Sequence, residues 1–179
     1  MNILDVIIDE IKSVLSRVDM KQLDDVVGCI NKDVSIFVDG EGRSGLMGKS
    51  FAMRLMHLGY NVYAVGETIN PSVKKNDIYF SISGSGESGN VVLNTKRAKD
   101  KDCFIICVTS KPKSTISSLA DRLIIVPGTT KSDKGEQRKS VQLLSTLFDQ
   151  SVHIVLDALC LMLSKKENIS NSEATARHW

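Results

Sequence analysis

DIYFSISGSGESGNVVLNTKRAKD, residues 77–100, passes from an apolar run, through glycines and serines, into a polar stretch of helical character. The run DIYFSI is short, rich in β-branched and aromatic residues, and close to continuous rather than alternating. That pattern is expected of a strand buried on both faces of a parallel sheet. Ser83-Gly84-Ser85-Gly86-Glu87-Ser88 then separates this strand from a helix beginning near Gly89. The glycines let backbone amides turn inward, the serines add hydroxyl donors, and a helix N-terminus with unpaired N–H groups favours negative charge. A turn plus an N-cap would use one serine and one glycine, so the run reads as an uncharged anion cradle for phosphate.

The same strand, loop and helix unit occurs upstream in VDGEGRSGLMGKSF, residues 38–51. Three phosphate-binding readings compete there. Gly40, Gly42 and Gly45 spell the dinucleotide pattern G-x-G-x-x-G, and Glu67 ends the following strand where a ribose-binding acid would sit. Against this, the chain has no second domain to hold a substrate beside a nicotinamide, and Arg43 and Ser44 are polar where such sites keep small residues. A P-loop fails on spacing, since Arg43 occupies the position that requires glycine, and Lys49 falls inside the helix beyond reach of a cradle. A sugar phosphate, contacted by Arg43 and Ser44, is the third reading.

Further apolar runs, VSIFVD, NVYAVG, CFIICVT and RLIIVP, alternate with helical stretches. Five strands joined mostly by crossovers predict an α/β fold, a three-layer α/β/α sandwich around a five-stranded parallel sheet, for which the doubly wound order 2-1-3-4-5 is expected. In that order strands 1 and 3 are neighbours at the switch point. GEGRSG and SGSGES therefore open into one cleft, where hydroxyls and an arginine suit a phosphorylated polyol better than a nucleotide.

The 179 residues, 42% apolar and 25% charged, allow one substantial core, so residues 1–179 are expected to form a single domain. Lys and Arg number 23 against 21 Asp and Glu, interspersed, with a formal net charge of +2. No basic stripe indicates nucleic acid. Cys29, Cys103, Cys107 and Cys160 lie in apolar segments without metal-ligand spacing, which predicts reduced thiols and no metal. The amino terminus carries Asp5, Asp9 and Glu10 within an apolar period of three and four. It is expected to be an amphipathic helix rather than a leader or a membrane span, with a cytoplasmic location as the default. Helices within 1–31, and a closing helix over Val141–Ser164 with its tail to 179, are expected to pack on the sheet or on neighbouring subunits. PGTTKSDKGEQR, residues 127–138, reads either as an exposed loop or as a lid or subunit contact over about 128–140.

GRSGLMGKSFAMRLMHLGYNVYAVGET, followed by SISGSGESGNVV, resembles the sugar isomerase (SIS) domain family, and within it the 6-phospho-3-hexuloisomerases. The resemblance continues through VTSKPKSTISSLADRLIIVPG to the closing helix. It implies interconversion of D-arabino-hex-3-ulose 6-phosphate and D-fructose 6-phosphate in the ribulose monophosphate pathway, without a cofactor, by a homotetramer. Carried over residue by residue, it implies substrate binding by Ser44, Ser83, Gly84, Ser85, Gly86, Glu87 and Ser88.

The family's base is a glutamate following Leu-Phe, and here Asp149 occupies that position in STLFDQS, one methylene shorter. The family's Pro-Met-Gly lead-in is replaced by VQLLS, and Ala176-Arg177-His178-Trp179 resembles its Arg-His terminus in truncated form.

Moving a carbonyl from C3 to C2 through an enediol needs a base, a proton shuttle and a grip on phosphate. Asp149 is the expected base and His178 the expected shuttle, reaching into a neighbouring subunit's cleft. Glu87 is the alternative base. Arg43 is read either as a phosphate ligand or as an ion-pair partner of Glu41 or Glu67. His57 is read as a core or interface residue, and His153, one turn beyond Asp149, as able to orient it. Two other outcomes are an SIS module that binds a sugar phosphate without turning it over and an isomerase of another phosphosugar.

Overall fold

The computed structural model describes residues 2–178. Two amino-terminal helices, α1 (Ile3–Leu15) and α2 (Met20–Cys29), precede the sheet. The first starts at a reciprocal cap between Asn2 and Asp5, and the second is capped by Asp19. Then follow β1 (Ile36–Gly40), α3 (Gly42–His57), β2 (Val62–Ala64), β3 (Ile78–Ile82), α4 (Gly89–Asp100), β4 (Phe104–Thr109), α5 (Thr115–Leu119) and β5 (Arg122–Ile125). A 3₁₀ turn (Gly135–Gln137), the long α6 (Thr146–Lys166) and the short α7 (Asn171–Thr175) complete the chain.

All pairings are parallel, as the alternation of runs and helices predicted, and the order is β2-β1-β3-β4-β5, the expected doubly wound order. Successive strand residues point to opposite faces. Ile36, Val38, Ile78, Phe80 and Ile82 face one core with Phe51 and Leu55 of α3 and Phe148, Val152 and Leu159 of α6. Phe37, Tyr79, Ile105 and Cys107 face another, closed by Val91 and Ala98 of α4 and Ile116 of α5. Both faces of the sheet are thus covered, giving the three layers expected of continuous apolar strands.

Helix α6 is long and apolar enough to cross a membrane by composition alone, and 56% of that stretch is buried inside the protein. Its start differs from the sequence expectation, which placed the helix from Val141. Residues 141–145 lie outside it because Leu144 has φ +52°, which no right-handed helix accommodates. Cys103, Cys107 and Cys160 are buried, and burial pushes the thiols of Cys107 and Cys160 up to about 12.

Candidate active site

Strand β1 ends at Gly40, and the chain turns through Glu41 and Gly42 into α3. The helix packs so closely on the strand end that a Cβ at Gly45 would lie 2.5 Å from the Gly40 carbonyl oxygen. Glycine at this position is therefore set by helix–strand approach, whatever ligand binds. Glu41 is the N-cap residue but makes no side-chain cap. Its Oε1 instead accepts a hydrogen bond from Asn90 Nδ2 at 2.5 Å, tying the start of α3 to the start of α4.

The second loop is braced from within. Ser83 Oγ meets Ser88 Oγ at 2.9 Å and accepts from the Gly86 amide at 3.1 Å. The Gly84 carbonyl accepts from Ser110 Oγ at 2.8 Å and from Thr109 Oγ1 at 3.2 Å. Gly86 has φ +69°, and a Cβ there would overlap Ser114. Ser88 is the N-cap of α4 and, like Glu41, makes no capping bond. Ser145 at the start of α6 is the third N-cap without one. Uncapped N–H groups of three long helices therefore surround one place, a strong setting for an anion.

That place is a cavity of about 270 Å³. Glu41, Gly42, Arg43 and Ser44 form one wall, and Gly84, Ser85 and Ser88 form the second. Lys131, Leu144, Ser145, Thr146 and Asp149 close it. Asp149 is only 3% exposed, and its Oδ1 accepts a hydrogen bond from Ser44 Oγ at 2.7 Å. Burial raises its pKa above the ordinary carboxylate range; the Ser44 hydrogen bond and the Arg43 charge oppose that rise without cancelling it. Arg43 Nη1 donates to Thr146 Oγ1 at 3.0 Å, so Arg43 joins the two helix starts. Glu67 pairs instead with Lys49 at 2.5 Å, on an exposed part of α3.

The structure gathers Arg43, Ser44, Gly84, Ser85, Ser88 and Asp149 around the cavity and leaves other predicted residues outside it. Ser83 is 2% exposed and acts as the brace of its loop. Gly86 supplies the turn. Glu87 points away, its two carboxylate oxygens accepting from Thr115 N and Thr115 Oγ1 at 2.7 Å each. These bonds hold its carboxyl below the usual range. His153 pairs down the helix with Asp157 at 3.6 Å rather than with Asp149. His178 stacks on the buried His57, with ring centroids 5.1 Å apart. Since His57 ends the 16-residue α3 and the cavity lies at its beginning, about 24 Å of helix separates them. Trp179, the last residue of the tail motif, lies outside the described residues.

Lys131 and Thr146 were missed because a lysine in a polar loop and a threonine in a helix carry no local signal. A second cavity, of about 300 Å³ beside β2, has Phe37, Val65, Tyr79 and Ala98 in its walls and neither glycine-serine loop. Among the described residues no group of three or more His, Cys, Asp or Glu could hold a metal ion.

The SIS domain family matches residues 30–161, which contain both loops, the whole sheet and most of α6. The chain belongs to the SIS domain family. As an SIS domain chain it is similar to the 3-hexulose-6-phosphate isomerase of Bacillus subtilis, 33% identical over 96% of this chain and 93% of that protein. The 3-hexulose-6-phosphate isomerase of Mycobacterium gastri is 33% identical over 99% of this chain and 88% of its own. A Methanococcus jannaschii protein, whose crystal structure is described as inferring a function of 3-hexulose-6-phosphate isomerase, superposes with a TM-score of 0.80. It is 33% identical, covering 98% of this chain and 97% of that one.

Proposed function

We propose that this SIS domain chain is a sugar-phosphate isomerase that interconverts D-arabino-hex-3-ulose 6-phosphate and D-fructose 6-phosphate, a step of the ribulose monophosphate pathway of formaldehyde fixation, without a cofactor. The observation that carries the reading is Asp149, a buried carboxylate with a raised pKa at the meeting point of two hydroxyl-rich loops. The named relatives support the substrate class.

In this reading the phosphate sits on the uncapped starts of α3, α4 and α6, gripped by Ser85, Ser88 and Lys131, with Arg43 adding charge. Asp149 removes the proton from C2 of the 3-ketose, the electrons collapse into a 2,3-enediol, and the proton returns at C3. Ser44 holds the carboxylate in the cleft and donates to it, which favours the ionised base.

The hydroxyl protons need a second group. His178 lies too far from its own chain's cavity, so it serves the cleft of another subunit in a homotetramer. A mixture of inactive Asp149→Asn and inactive chains ending at Arg177 should therefore regain activity, since some clefts pair an intact base with an intact tail. Failure to regain any activity overturns the shared site. Four free cysteines accord with a cytoplasmic setting.

Conversion of hexulose 6-phosphate, coupled to detection of fructose 6-phosphate, tests the reaction directly. One observation favours the non-catalytic alternative: within the chain's own cleft Asp149 has neither Glu87 nor a histidine beside it. Fructose 6-phosphate incubated with the protein in deuterated water decides between them. Deuterium at C2 or C3 establishes catalysis, and an unlabelled sugar with measurable binding establishes a sensor.

A further inference from the structure

The segment that leads into α6 is held by a residue of α1 that lies about 130 positions earlier in the chain. Glu10 is half-buried, and its carboxylate accepts three hydrogen bonds from three consecutive residues. Oε1 takes the Val141 amide at 2.8 Å, while Oε2 takes Ser140 Oγ at 2.8 Å and Gln142 Nε2 at 3.0 Å. Burial alone would raise the carboxyl pKa, but these bonds outweigh it and lower it, so the group is held as the carboxylate. Gln142 is 7% exposed, and turning its amide nitrogen toward Glu10 leaves its own Oε1 without a donor. The segment therefore accepts an unsatisfied buried acceptor to keep this contact.

From the other side Arg138 donates to the Gln142 carbonyl at 2.6 Å and to the Leu144 carbonyl at 3.3 Å. Between these anchors Leu144 takes φ +52°, a left-handed conformation unfavourable for a residue with a large side chain. Such a conformation persists only where its surroundings over-determine it. Leu144 lines the cavity, and the next residue, Ser145, begins α6. The Ser145 carbonyl accepts the Asp149 amide at 2.9 Å, so the position of the lead-in sets the first turn that carries the carboxylate.

We propose that Glu10 is a positioning residue for the cleft: as a three-bond latch from α1 it fixes the 140–144 segment, and through it the Leu144 lip and the placement of Asp149. Its effect on turnover rests on the reading of Asp149 as the base, whereas its effect on the backbone does not.

The test measures amide hydrogen exchange over residues 140–149 together with kcat and KM per folded molecule. In Glu10→Ala, exchange at Val141 and Asp149 should quicken, and kcat should fall roughly ten- to hundredfold, as expected when a reacting group is displaced by about an ångström. Glu10→Gln, which keeps an acceptor for the Val141 amide, should restore part of both. Ser140→Ala loses one bond of the three together with the bond its Oγ accepts from the Gln142 amide at 3.0 Å. It should shift both in the same direction, and it carries the test with Glu10→Gln if Glu10→Ala does not fold.

Unchanged exchange over 140–149 overturns the latch, as does a wild-type kcat per folded molecule beside a lowered thermal midpoint, which marks a purely structural role. If Asp149→Asn is fully active, the function reading falls separately. Exchange over 140–149 then still decides for or against the latch.

Discussion

Two carboxylates near the cleft, Asp149 at the first turn of α6 and Glu87 in the second glycine-serine loop, carry the same functional group into opposite conditions. Asp149 is 3% exposed, accepts one hydroxyl, and is shifted toward the protonated form by burial. Glu87 is exposed, accepts from the amide and the hydroxyl of Thr115, and is shifted toward the ionised form by those bonds. A general base works best with a pKa raised toward the working pH, and the environment supplies this to Asp149 alone. Glu87 holds the start of α5 in place. The difference shows that proximity in the sequence to an anion loop is a poorer guide to chemistry than solvent access and partners.

The largest effect is expected from exchanging the charge at each position. Asp149→Asn should lower kcat by about 10² to 10⁴, the usual contribution of a positioned base, whereas Glu87→Gln should leave kcat near that of the parent. Steady-state rates with hexulose 6-phosphate read both, and a reversed order would remove the comparison.

Next in size is packing at the loop itself. A Cβ at Gly84 would lie 2.9 Å from Phe148 Cδ1 and 3.0 Å from Thr130 Cγ2. Gly84→Ala should therefore destabilise by about 1–3 kcal/mol, typical of overpacking, measured as a lower denaturation midpoint.

The third prediction concerns the hydrogen bond that sets Asp149 apart. Ser44→Ala removes a donor to its carboxylate, so the acid limb of the pH–rate profile should move to higher pH, and Glu87→Gln should leave that limb where it is. A Ser44→Ala profile matching the parent would show that Ser44 does not tune the base.

The smallest effect is on stability. Because the folded-state pKa of Asp149 lies above its unfolded value, its contribution is complete below the ordinary carboxylate range. That contribution is lost as pH rises through the raised value. Near neutral pH, Asp149→Asn should unfold no earlier than the parent, its amide oxygen still able to accept from Ser44. A marked fall in the melting temperature would show that the ionised carboxylate stabilises the fold.

The sheet was legible because its evidence is local and repeated. Each apolar run announces a strand buried on both faces, and the crossover helices force the strands parallel. The two loops were legible for the same reason, as glycine and serine clusters between a strand and a helix. Within them, the sequence could not divide binding from bracing. Ser83 meets Ser88 across the turn at Gly86, and Glu87 turns to α5 while Ser88 stays in the cavity wall, which only the folded loop reveals. The start of α6 was misplaced by five residues, since the apolar pattern of Val141, Leu143 and Leu144 suits a helix. Contacts with Glu10 and Arg138 hold it open instead.

The alternation of buried strands with helices, the glycine-serine loops GEGRSG and SGSGES at two strand ends, and the presence of a carboxylate in STLFDQS were determined by the sequence, because periodicity and turn chemistry act over a few residues. Burial and long-range hydrogen bonding act between residues more than a hundred positions apart. Only the tertiary structure could therefore decide that Ser44 grips Asp149, that Glu10 holds the lip, that Lys131 lines the cavity, and that the His178 tail lies at the far end of α3.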